Sequence, residues 1–517
     1  MALISIIEDF HPINDAKLLD VAKRCKPAIH HRVIEPEGAF YLKERYSSET
    51  KEVKLHELSQ MALGKGENLC LDFGTHHVGR VTLAVSYQGS HPDAPALLKL
   101  KFAETLKELS ENSDGYDGWI SSSWIQEEYV HVDVLPSVIE LPRRYAFRYL
   151  KITMMDTSPK YKITVEHAEC LAQSSAYMRD ARIRSFADHM LTDIYRVGVR
   201  TLHNCMQDVF EDGPKRDRRL WMGDLRLQAQ ANYAVFGDHR LVKRCLYLFG
   251  GSRFPDGKVA ACLFTEPIVE ADDTWLFDYS LFYVVALEEY LARSDDAEAL
   301  SDLYETAMQQ IDLAVDLLDE EGIVGEEAVA NVFIDWCDEL DKKVCAQGVL
   351  LYAIPYAIAL AKRKGDGQRQ EWLLGLQQRL KNAAYAKFYD EGEKCFVSGG
   401  QISTASQVWM VLAGVLDSEE AAGVMQRCRE WMKNAPMTTP YMHHYYVMAL
   451  LSCGLKEEAL SHLKAYWGSM IEAGADTFWE SWTPEDPDAS PYGGAVVNSY
   501  CHAWSCTPVY ILSEYFS

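Results

Sequence analysis

The spacing of apolar residues changes once along this chain, near residue 175, and that change constrains the fold more than any other feature. Before it, short apolar runs are broken by turn residues, as at 68–74, 78–85, 97–102 and 161–165. The run Leu98-Lys99-Leu100-Lys101-Phe102 alternates with a period of two. Successive side chains of a strand point to opposite faces, so such alternation predicts half-buried strands. Several at short intervals predict a β-sandwich. After the change, Leu191, Ile194, Tyr195, Gly198, Leu202 and Cys205 recur at helical spacing, as do Leu300, Leu303, Tyr304, Ala307, Ile311, Ala314 and Leu318. Each set is a one-sided apolar stripe. About twelve such segments follow, near 188–207, 223–237, 239–250, 275–292, 297–319, 344–363, 368–387, 404–416, 418–432, 442–453, 456–470 and 497–513. Twelve helices in antiparallel pairs close into an (α/α)6 barrel, and no short repeat favours a solenoid. The expected architecture is an N-terminal β-sandwich over 1–175 followed by an (α/α)6 barrel over 176–517.

Composition narrows the classes. The 517 residues are 48% hydrophobic and 25% charged, which fits globular domains and excludes a disordered, collagenous or disulfide-stapled chain. No uncharged apolar run reaches 18 residues, so no membrane span is expected. A net charge of −25 repels phosphate, so no nucleic-acid partner is expected either. Thirteen cysteines, scattered and without a CxxC pair, fit free thiols of a reducing cytoplasm. The stretch Met1–Phe10 has no basic region ahead of an apolar one and does not read as a secretory leader. The expected location is cytoplasmic.

Two inter-helix loops concentrate chemistry. From Glu211 to Asp224 four carboxylates and four cationic side chains surround Trp221. Gly213-Pro214 stops the preceding helix. Asp224 is placed to cap the next one, and Arg216, Arg218 and Arg219 to pair with carboxylates that hold the loop. The same groups suit a sugar: carboxylates accept from hydroxyls, and an indole covers a pyranose face. The second loop, Asp476-Thr477-Phe478-Trp479-Glu480-Ser481-Trp482, sets one Glu between two indoles, whose desolvation raises a carboxyl pKa. Glycoside hydrolysis needs two carboxyl groups across one bond, and two such loops can supply them.

Other acid–aromatic clusters, Asp272–Tyr279 and Phe333–Asp338, read either as caps and core aromatics or as walls of the same pocket. His443-His444 and Cys501-His502-Ala503-Trp504 add neutral donors and stacking surfaces. The adjacent pairs His76-His77 and His443-His444 point to different faces, and HExxH, CxxC, GxSxG and phosphate-loop motifs are absent from the sequence. Neither a metal nor another cofactor is expected.

The run from Asp212 to Asp224, Trp479-Glu480-Ser481-Trp482 and Asn498–Trp504 together resemble the bacterial α-L-rhamnosidases of glycoside hydrolase family 78. Upstream, Asp72-Phe73-Gly74, 102–106 and 147–150 are similar to the β-sandwich of that family. The resemblance implies an inverting hydrolase that releases terminal α-L-rhamnose from small rhamnosides or oligosaccharides. It implies Asp217 as general acid, where the family usually has Glu, and Glu480 as general base. Asp212, Asp224 and Trp221 would bind the sugar, with Asp278, Trp336, Trp479 and His502 as further pocket residues. Leu220 stands where the family has Gly. The chain ends near its last helix, as a compact family form does, and a homodimer is expected on the same ground. Alternatives are an inverting hydrolase of another sugar on the same barrel, or a carbohydrate-binding protein that has lost turnover.

Overall fold

The computed structural model describes residues 10–42, 50–432 and 435–516. The leader reading over Met1–Phe10 thus falls, but for Phe10, outside the described residues. Nine strands between His30 and Ser174 form one hydrogen-bonded network. Its organiser is the strand Asn68–Gly89. The first part lies between Gly38–Leu42 and Tyr145–Asp156, and the last part between Ser137–Glu140 and Tyr161–Ser174. Its register shifts between Asp72 and His77, with Gly74 at a φ of +78° inside the shift. An irregularity of this kind lets one strand serve two sets of neighbours. Phe73, Leu100, Phe102, Phe147 and Ile152 from one set share an apolar core with Leu83, Val85, Ile163 and Val165 from the other.

Eleven of the expected helical segments are helices whose ends move by a few residues, from His189–Cys205 and Met222–Val235 through Pro440–Ser452 and Lys456–Glu472. Many start on an aspartate. Asp188, Asp238, Asp296, Asp366 and Asp417 each accept a backbone N–H of the first turn, which accounts for part of the acidic surplus. The expected segment 497–513 is different: only Pro508–Tyr515 is α-helical, after a 3-10 turn at Ala503–Cys506. Residues 498–502 instead spend their backbone groups on the loops described below.

Among the described residues three helices lie outside the expected segments: Ala16–Arg24 and the short Leu106–Ser110 and Glu326–Ala330. Ala16–Arg24, capped by Asp15, precedes the strands but packs with the helical half. Ile13–Asn14 pairs with Ser252–Arg253, the Asp15 N–H donates to Gly251, and Leu18 and Val21 join the helical core. The helix Lys343–Lys364 is long and apolar enough to cross a membrane, yet 72% of its most apolar window is buried inside the protein. It is a core helix here.

Candidate active site

Three remote segments are stitched together by main-chain hydrogen bonds. The loop after His189–Cys205 closes on itself: Asp212 N–H donates to the Arg219 carbonyl, and Arg219 N–H to Asp212 Oδ1, both at 3.0 Å. Ala503 N–H then donates to the Asp212 carbonyl at 2.7 Å, His502 N–H to Phe478 at 2.9 Å, and Glu480 N–H to Ser499 at 3.0 Å. Lys215 Nζ and Arg216 Nε add bonds to the Asn498 and Val497 carbonyls at 2.8 and 3.0 Å. Gly213 sits where the strips meet. A Cβ there would lie 2.7 Å from Ser499 Oγ and 2.9 Å from the Arg216 carbonyl, so a side chain has no room.

This stitching places Asp212, Asp217, Asp224 and Glu480 around one cavity of about 270 Å³, together with Trp221, Trp336 and His502. Arg216 bridges the two chemical loops. One of its nitrogens donates to Glu480 Oε2, and another stands 3.5 Å from Asp217 Oδ1. Tyr492 donates its hydroxyl to Glu480 Oε1, and its ring carries the Arg216 guanidinium 4.0 Å from the centroid. Trp504 Nε1 donates to the Glu480 carbonyl at 2.9 Å. Glu480 is therefore fixed at both oxygens and at its backbone.

The electrostatics divide the carboxyls. Burial pushes Glu480 above the usual range, while Arg216 and Tyr492 pull it back toward the ionised form. Burial drives Asp212 well up, reinforced by Asp217 and Asp224, and drives Asp224 well up, reinforced by Glu480. His502 is pushed well below its normal value by burial and then by Arg216, so its ring is neutral. Its approaches to Asp224 (3.4 Å), Asp212 (3.9 Å) and Glu480 (4.0 Å) are accordingly not ion pairs. Asp224 Oδ1, His502 Nδ1 and Trp221 Nε1 are buried without a hydrogen-bond partner in the protein, which leaves them for a ligand. Among the described residues no group of three His, Cys, Asp or Glu side chains is arranged to hold a metal ion.

Two expected pocket residues lie elsewhere. Asp278 is buried and does not line the cavity: it accepts from the N–H groups of Phe333 and Ile334 at 3.2 and 3.1 Å, holding the turn that carries Trp336. Trp479 faces an adjoining cavity of about 480 Å³. Its chain neighbour Glu480 lines the first cavity instead. Asp224 is not the cap of its helix: Trp221 occupies that position, and Asp224 lies in the first turn. Asp335 is taken up by Thr438 and Thr439. His443 bonds His462, and His76 bonds Glu104 and Asn204. The sequence reading missed Tyr492, which sits in a Pro-Tyr-Gly-Gly turn with no periodicity, and Trp119 and Trp124, which come to the rim from the β-rich half.

A family model described as the glycosyl hydrolase family 78 alpha-rhamnosidase N-terminal domain matches residues 37–172. A second, the bacterial alpha-L-rhamnosidase 6 hairpin glycosidase domain, matches residues 182–516. The chain belongs to glycoside hydrolase family 78. It is a glycoside hydrolase of the α-L-rhamnosidase type. A rhamnosidase from Klebsiella oxytoca, solved with rhamnose bound, is 43% identical over 98% of this chain and 100% of its own, with a TM-score of 0.92. The family 78 rhamnosidase of Bacillus sp. GL1 shares the fold at 19% identity and a TM-score of 0.74, over 90% of this chain and 49% of that one. The L-rhamnose complex of the Streptomyces avermitilis enzyme does so at 16% and 0.67, over 94% and 44%. No curated protein matches.

Proposed function

We propose that the enzyme removes terminal α-L-rhamnose from small rhamnosides with inversion, on a β-sandwich joined to an (α/α)6 barrel over 176–517, with Ala16–Arg24 on the helical half rather than in the sandwich expected over 1–175. The observation that carries this is the single guanidinium of Arg216, which contacts Glu480 and approaches Asp217 within one cavity. Two carboxyls spanned by one such group, with the sugar between them, suit a pair that must leave space for a water.

Asp217 is the less enclosed of the two, with a quarter of its side chain exposed, which suits a residue that meets the leaving group. It protonates the glycosidic oxygen as that bond breaks. Glu480, whose ionised form Arg216 and Tyr492 favour against burial, takes a proton from the water that attacks the anomeric carbon from the opposite face. The products are rhamnose and a neutral alcohol or phenol. Asp212, Asp224 and the neutral His502 hold the sugar hydroxyls, and Trp221 lies against the C6 methyl. Trp336 closes one wall.

The assay that tests the reading compares p-nitrophenyl α-L-rhamnoside with the aryl α- and β-glucosides and the glucuronide. Turnover confined to the rhamnoside is expected; preference for another sugar would overturn the assignment. A cytoplasmic site of action belongs to the same proposal and is supported by thirteen free thiols, eleven of them buried. Recovery of the native activity outside the cytoplasmic fraction would contradict it.

A further inference from the structure

The cavity changes character from its floor to its rim. The floor is buried and polar, built by Asp212, Asp224, Glu480 and His502. At the rim stand Trp119, Ile120 and Trp124, all from the β-rich half, and Trp119 is 42% exposed. An indole this open beside a polar floor has no core to complete.

The rim is also rigid. Trp119 Nε1 donates to the Pro491 carbonyl and Tyr116 hydroxyl to the Tyr492 carbonyl, both at 2.7 Å. The Trp119 and Tyr492 rings lie 5.4 Å apart. A Cβ at Gly118 would stand 2.1 Å from the Tyr492 carbonyl, so the two loops touch at backbone distance. The rim is thereby locked to the residue that holds Glu480.

Two of its polar groups are engaged within the protein: Trp119 Nε1 donates to Pro491, and Ser121 Oγ accepts from Ser123 N–H at 3.2 Å. Beside them the rim offers a ligand ring faces and a branched aliphatic side chain. We infer that Trp119 and Trp124 form a leaving-group platform that selects rhamnosides with a planar aryl aglycone over those with a small alkyl one. This rests on the rhamnosidase reading of the cavity, with the leaving group emerging past Asp217. Aromatic stacking favours a flat apolar ring.

The test uses the full chain with Trp119→Ala, Trp119→Phe and Trp124→Ala. For each, kcat/KM is measured on p-nitrophenyl and on methyl α-L-rhamnoside, and the inhibition constant of free rhamnose is determined. The alanine variants should lower the aryl-to-methyl ratio of kcat/KM by roughly two- to tenfold, as one lost ring contact implies. Rhamnose inhibition should stay at the wild-type value, and Trp119→Phe should keep most of the ratio. An unchanged ratio in both alanine variants, with the wild type active on both substrates, overturns the platform alone. Equal loss on both substrates does so too, since it places the indoles in the sugar pocket or in folding. A wild type that hydrolyses neither rhamnoside overturns the reading of the site, and the platform with it.

Discussion

Arg216 donates to Oε2 of Glu480 across 264 positions of sequence, and no other contact ties the two chemical loops so directly. Tyr492 takes the second oxygen of the same carboxylate. Both partners favour the ionised form of Glu480 against the push of burial. Removing the Tyr492 hydroxyl should therefore raise the Glu480 pKa further. A general base works only when deprotonated, so the acid limb of the pH–kcat profile should move to higher pH in Tyr492→Phe. A profile that falls in height without moving would show that the hydroxyl does not act on the base.

Asp217 carries the acid role in this account. Asp217→Asn should lower kcat by about 10²–10⁴-fold, the usual worth of a positioned proton donor. The loss should be smaller for leaving groups that depart readily without a proton. Measuring kcat for a series of aryl rhamnosides of graded phenol pKa checks this. A silent Asp217→Asn would transfer the role to Asp212 or Asp224.

The sugar-binding role proposed for the floor carboxyls comes at the expense of stability. Asp224 has its folded pKa driven well above the unfolded value by burial, then by Glu480. Such a group favours folding at low pH and costs stability as pH rises from its unfolded pKa toward its folded one. Asp224→Asn should thus melt higher than wild type at neutral pH, with a gap that widens from pH 5 to pH 8. Calorimetric melts at the two values check the sign, and titration with rhamnose should find weakened binding in the same variant.

Lys215 is a separate matter of stability. Fully buried, it meets Glu108 at 2.5 Å and approaches Glu104 at 4.0 Å, joining the catalytic loop to the β-rich half. Burial pushes Glu108 up to about 7, with Lys215 as the largest opposing influence. Lys215→Met leaves a buried acid unpaired, a change that costs about 3–5 kcal/mol in comparable cases. The Glu108 pKa then climbs, so the deficit should be larger at pH 8 than at pH 5. Denaturant unfolding at both values reads it, and adding Glu108→Gln should recover part of the loss.

Local features of the chain announced a good deal of this. The period change, the Gly213-Pro214 stop and the Trp479-Glu480-Ser481-Trp482 cluster are contiguous signals, and both chemical loops were legible from them. Direction was not. Asp278 and Trp479 have the composition of pocket residues, but backbone path sends one to the Phe333–Ile334 turn and the other to the neighbouring cavity. Residues 498–502 resemble a helix start until their backbone bonds to Phe478 and Glu480 are known. Tyr492 and Trp119 act through contacts spanning 12 and 372 positions, from turns with no pattern of their own.

The proposed mechanism requires Asp217 and Glu480 to act from opposite faces of one anomeric carbon. Proton NMR of the first turnovers on p-nitrophenyl α-L-rhamnoside, before mutarotation, tests that most directly. β-L-rhamnose should accumulate first; initial release of the α anomer would contradict the arrangement.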